Sequence, residues 1–152
     1  MSSLQSTIFY ALLMFIAGMG IPIMTTLNGS LGIKLGSSAL ATTILFVVGS
    51  VMSFAYLFLS DGMPKSPFSQ PIPIFYYLGA FFVVFYMLSI TWAAPKIGIG
   101  NAISLVLLGQ LISMTIIDHY GLFGTPPNFI SIQRIVGLIF MIAGVYLTVR
   151  RL

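Results

Sequence analysis

The chain has 152 residues, 59% of them hydrophobic and 5% charged, with a net charge of +4. A soluble domain of this size carries about a quarter charged residues, so the composition points away from water-soluble enzymes and binding modules. The cations stand at the ends of apolar stretches instead of in a patch, which excludes a nucleic-acid partner. The absence of cysteine excludes disulfides and thiolate metal sites, and one His with two acids supplies neither a metal cluster, a cofactor site nor a nucleophile–base–orienter set.

Five long apolar stretches, 8–27, 39–59, 72–94, 97–117 and 129–149, make up most of the chain. Only Arg134, near the start of the last, places a charge inside one of them. Each stretch, as a helix, is long enough to cross a ~30 Å hydrocarbon layer. The expectation is an all-α membrane protein of one domain, with five transmembrane helices at about 7–27, 39–59, 73–94, 98–118 and 130–149.

The first span has Pro22, which lacks a donor and leaves the carbonyl of Gly18, four residues back, without its helical partner. A freed carbonyl at that depth suits either a lined site or a packing kink. The leader before it has no basic side chain, so a cleaved signal peptide is not expected. Asn28-Gly29-Ser30 and Gly36-Ser37-Ser38 have turn chemistry and are expected to bracket a short connection holding Lys34. Thr25, Thr26 and Asn28 would then line a vestibule or cap the helix end. Gly32 and Gly36, falling in that connection, carry no packing expectation.

The second span puts Thr42, Phe46, Gly49 and Ser53 on one stripe, a pattern suited to close helix packing. A proline-rich loop follows at 60–71. The third span is dense in aromatics and is expected to end at Pro95. Its aromatics suit lipid contact or helix packing, or stacking on a ligand, for which Tyr86 and Trp92 are the best placed.

In the fourth span Gln110 lies nine residues after Asn101 and eight before Asp118, roughly 12–13 Å from either end at 1.5 Å per residue. That is close to the bilayer midplane, with Ser113 on the same face. An amide at that depth needs a partner, either another helix or a polar substrate. Asp118 and His119 end this span, and Arg134 begins the fifth on the same membrane side. An Asp118–Arg134 pair closing the loop is the simplest account, and proton coupling or gating is the sharper one. On the fifth span Gly137 and Gly144, with Ala143 beside them, form a face suited to a dimer seam or to packing within the subunit.

An odd number of spans puts the termini on opposite sides. Lys65 and Arg134 then face Lys34, Lys96, Arg150 and Arg151, a small bias toward a C-terminus inside. Such a bias is compatible with one orientation or with both. Five helices contain no internal repeat, so the second half of an inverted-repeat transporter would have to come from another chain.

Several blocks together resemble the YdcZ-like family of the drug/metabolite transporter superfamily, which carries a domain-of-unknown-function label. They are Asn28-Gly29-x-Leu31, Gly36-Ser37-x-Ala39, Phe46-x-x-Gly49, Pro95-x-Ile97-Gly98, Gly109-Gln110-Leu111, Ile117-Asp118-His119-Tyr120-Gly121-Leu122 and Arg134-x-x-Gly137. The Gly-Gln-Leu and Asp-His-Tyr-Gly blocks are the specific part, and the match spans nearly the whole chain. The resemblance implies a five-helix half of a ten-helix inverted-repeat transporter, assembled as an antiparallel, dual-topology dimer in a bacterial inner membrane. Its partner would be a second copy or an oppositely oriented homologue, and its substrate a small solute moved by alternating access. The superfamily's small multidrug resistance branch carries an acid in its first helix, whereas this chain has Gly18 and apolar neighbours at that depth. A neutral or zwitterionic cargo therefore fits better than a cation. Gln110, Asp118 and Asn28 are the family-typical positions. The substrate-binding candidates are Gln110, Ser113, Asn28, Gly18, Trp92 and Tyr86. Asp118, His119 and Arg134 are candidates for coupling or gating, and Gly137, Ala143 and Gly144 for the dimer interface. A passive channel and a non-transporting membrane subunit remain as alternatives.

Overall fold

The computed structural model describes residues 3–60, 62–63 and 71–149, and these form helices and their connections, with no strand among them. The helices are α1 (Ser3–Leu35), α2 (Ser38–Leu59), α3 (Leu78–Ile97), α4 (Ile99–Tyr120) and α5 (Ile132–Val149), with 3-10 turns at Ile74–Tyr77 and Leu122–Gly124. All five are long and apolar enough to cross a membrane, as the charge distribution predicts. Lys65, Arg150 and Arg151, on which the orientation argument draws, lie outside the described residues. The chain divides into two compact units, Met1–Pro95 and Lys96–Leu152.

In the first unit the helices meet at one end only. The buried residues are Thr25, Asn28, Gly29 and Gly32 of α1, Ala41 and Thr42 of α2, and Met87, Ile90, Thr91 and Ala94 of α3. All belong to the last part of α1, the start of α2 and the second half of α3, which an up-down-up path brings to the same membrane face. The α1 positions 25, 28, 29 and 32 fall on one helical face by their three-and-four spacing. The N-terminal half of α1 is exposed almost throughout. Large apolar side chains cover the outside, while three threonines and an amide lie inward beside Ala41, Met87, Ile90 and Ala94, an arrangement suited to lipid surroundings.

The first helix departs from the sequence expectation. Asn28-Gly29-Ser30 is not a turn, and α1 continues through it, and through Pro22, to Leu35. Tertiary packing explains this: a Cβ on Gly29 would lie 3.3 Å from Pro95 Cγ, and one on Gly32 3.4 Å from Thr91 Cγ2 and from Ser38 Cα. The small residues admit α2 and α3 to the face of α1. Gly32, expected to mean little, is therefore a close-packing glycine. The true turn is Gly36-Ser37. Gly36 sits at φ +65, Ser37 N–H donates to Gly32 O at 3.0 Å, and Ser37 Oγ caps α2 by accepting from Leu40 N–H at 3.1 Å. Lys34 lies in the last turn of α1, not in a connection. Likewise α3 runs two residues past Pro95 to Ile97.

The second unit is an α4–α5 hairpin. Gly98, at φ +88, precedes α4, and Asn101 Nδ2 donates back to Ile97 O at 2.7 Å. Gly121, at φ +61, ends α4 by donating its N–H to Ile117 O. The start of α5 is fixed by Ser131, whose Oγ accepts from Arg134 N–H at 3.2 Å.

Gly36 and Gly121 share a left-handed backbone but differ in surroundings. A Cβ at Gly36 meets open space, whereas one at Gly121 would lie 3.1 Å from Thr125 O. Gly36→Ala is expected to cost about 1 kcal/mol for its backbone alone, and Gly121→Ala measurably more. Thermal unfolding of the purified variants in detergent compares the two directly.

Candidate functional site: a crevice in the first unit

Because the three helices of the first unit join at one end, a space remains between them. A partly open crevice of about 890 Å³ is lined by α1 (Gly20, Met24 and Asn28 among others), α2 (Phe46, Gly49, Met52) and α3 (Val83, Tyr86, Met87). Its walls are almost wholly apolar, and no charged side chain lines it among the described residues. A cavity of this size matches those that hold drug-sized molecules.

Polar groups gather where the helices join. Asn28 Nδ2 donates to Thr91 Oγ1 at 2.6 Å, and Thr42 Oγ1 lies 3.5 Å from the same oxygen. One residue from each of three helices thus meets at Thr91. All three side chains are buried, so each bond forms where neither lipid nor water competes. Asn28 also lines the crevice. Thr25, 2% exposed, keeps its Oγ1 without a well-formed hydrogen bond, and the Tyr86 side chain is close enough to interact with it.

Of the substrate-binding candidates, the structure brings Asn28 and Tyr86 together on this crevice. Gly18 and Trp92 belong to the same unit but are not among its lining residues. A Cβ on Gly18 meets nothing within 4 Å, and Trp92 is 60% exposed. Gln110 and Ser113 belong to the second unit, on exposed positions of α4. The α2 stripe expected to serve packing is corrected in part. Thr42 is packed, but Phe46 and Gly49 face the crevice, and a Cβ on Gly49 meets nothing within 4 Å. Thr91 was missed by sequence reasoning, because a lone threonine in an aromatic-rich span gives no signal until its partners are known. Its only trace is polarity at a depth where hydroxyls need partners.

The second unit brings its three charged or titratable candidates together. Arg134 donates to Asp118 Oδ2 at 2.7 Å, with both side chains roughly three-quarters buried. The Asp118 carbonyl accepts from Asn128 N–H at 2.7 Å, and His119 Nδ1 accepts from Ile130 N–H at 3.4 Å. The His119 ring stands edge-on to Tyr120 and Phe129, with centroids 4.8 and 5.8 Å away. These contacts pin both ends of the loop between α4 and α5. On α5, Gly137 and Gly144 meet nothing within 4 Å, and Ala143 is exposed. This small-residue face is not used for packing within the hairpin.

Residues 9–147 match the family described as "Putative inner membrane exporter, YdcZ". No curated protein and no solved structure matches the chain.

Two measurements test this geometry. Thr91→Val keeps the shape but removes the shared acceptor and is expected to lower stability by about 1 kcal/mol, while Thr91→Ser retains it. For the loop, a double-mutant cycle of Asp118→Asn and Arg134→Gln is expected to give a coupling near 1 kcal/mol. Additive losses would show that the pair contributes nothing.

Proposed function

The chain belongs to the YdcZ family of inner membrane exporters, and from that membership we propose that it is a small-solute secondary transporter working by alternating access as an antiparallel homodimer. It is a multi-pass protein of the inner membrane, and its family is one of exporters, not of enzymes. The proposal extends this to a bacterial dual-topology protein whose cargo is uncharged or zwitterionic. The single observation that carries it is the crevice: three helices wall a space large enough for a solute, yet do not enclose it. Three helices alone cannot hold a cargo away from the bilayer, so further helices have to complete the wall, and in this reading a partner contributes to them.

Gln110 supports the partner. Its side chain is exposed on α4 and makes no hydrogen bond to another described residue. Hydrocarbon offers an amide nothing, so a second subunit or the cargo supplies its partner. The open glycine face of α5 provides a surface for close approach. A copy related by a twofold axis in the membrane plane gives the opposed halves that alternating access uses.

The native chain has no cysteine, so single cysteines at Leu35 and Asn128 report orientation cleanly. Leu35 ends α1 and Asn128 follows α4, so the two positions face opposite sides of the membrane. Dual topology predicts that an impermeant maleimide labels each position partly from either side, in similar proportion. Labelling of each position from one side only removes the antiparallel homodimer. Uptake into proteoliposomes over a broad solute panel tests the transport itself, and saturable, protein-dependent flux is expected.

A further inference from the structure

We infer that the crevice selects an uncharged, largely apolar molecule bearing a hydrogen-bond donor such as an amide N–H or a hydroxyl, with Asn28 Oδ1 as the acceptor that recognises it. This rests on the transport reading above and names the cargo class for that site. Asn28 is 4% exposed and lines the crevice, and its Nδ2 is committed to Thr91. No described group donates to its Oδ1, and that oxygen is not among the fully enclosed polar atoms left without a partner. The oxygen therefore retains accessible surface and an empty acceptor position on a side chain held rigid by its other end. A fixed, unpartnered acceptor in an apolar wall discriminates strongly, because a ligand lacking the donor leaves it unpaired.

The rest of the lining sets the remainder of the ligand. Met24, Met52, Met87, Phe46 and Val83 offer soft apolar contact with no counter-ion. A cation or a zwitterion entering here would lose hydration without a compensating charge. Tyr86 places one further hydroxyl on the lining, able to donate to a ligand carbonyl. A secondary amide between apolar groups matches both: its N–H meets Asn28 Oδ1 and its carbonyl meets Tyr86.

Equilibrium binding to the purified protein in nanodiscs tests this with tritiated benzanilide, N-methylbenzanilide, tetraphenylphosphonium and phenylalanine as probes. Benzanilide is expected to bind saturably, and removing its donor by N-methylation is expected to weaken binding about tenfold. Asn28→Leu should erase the difference between the two amides. Asn28→Asp, which places a carboxylate at the same point, should favour tetraphenylphosphonium. Gly49→Leu, at a position whose added Cβ meets nothing within 4 Å, should abolish benzanilide binding while its thermal transition is kept, which ties binding to the crevice independently of the Asn28 variants. Equal binding of the two amides, or preference of the unmodified protein for the cation or the zwitterion, overturns the assignment. If the preferred charged probe is lost in Gly49→Leu, only the cargo class falls and the transport site stands. If no probe binds to folded protein, both fall.

Discussion

The hydrogen bond from Asn28 to Thr91, with Thr42 close to the same oxygen, is the constraint around which the first unit is arranged. In water such a trio would contribute little, because solvent offers each group an equivalent partner. In hydrocarbon the unpaired alternative is costly, so α1, α2 and α3 are held where these groups can meet. Small residues make the approach possible. Gly29 and Gly32 let Pro95, Thr91 and Ser38 reach the surface of α1. The junction is therefore local and tight, and the helices beyond it are free to diverge. The crevice is what that divergence leaves.

Much of this fold was legible in the sequence, because lipid imposes few solutions. Charges stand at the ends of the apolar stretches, Arg134 apart, and the five helices follow from that alone. The errors lie where local propensity and membrane packing conflict. Asn28-Gly29-Ser30 has the chemistry of a soluble turn, yet in α1 the same residues form a packing face. Pro95 was expected to stop α3, but a proline in the last turn costs only one backbone bond, and its ring fills the space that Gly29 vacates.

The site was legible to a lesser degree. Asn28 and Tyr86 were named from polarity and aromaticity, and both line the crevice. Phe46 and Gly49 have the spacing of a packing stripe, and small-residue spacing alone does not tell a filled seam from an empty groove. Thr91 could not be found, since its meaning depends on a residue 63 positions away. Asp118 and Arg134, by contrast, were paired from topology alone, because a short loop puts the end of α4 beside the start of α5.

The length of α1 carries a consequence for the bilayer itself. Its 33 residues span about 50 Å as a helix, against a hydrocarbon layer of roughly 30 Å. An upright α1 would push apolar turns into the headgroups, so mismatch is relieved by tilting. Since α1 is anchored to its neighbours only near its C-terminal end, tilting swings its other half like a lever, toward or away from α2 and α3. Lipid acyl-chain length thereby becomes a determinant of how wide the mouth between these helices stands.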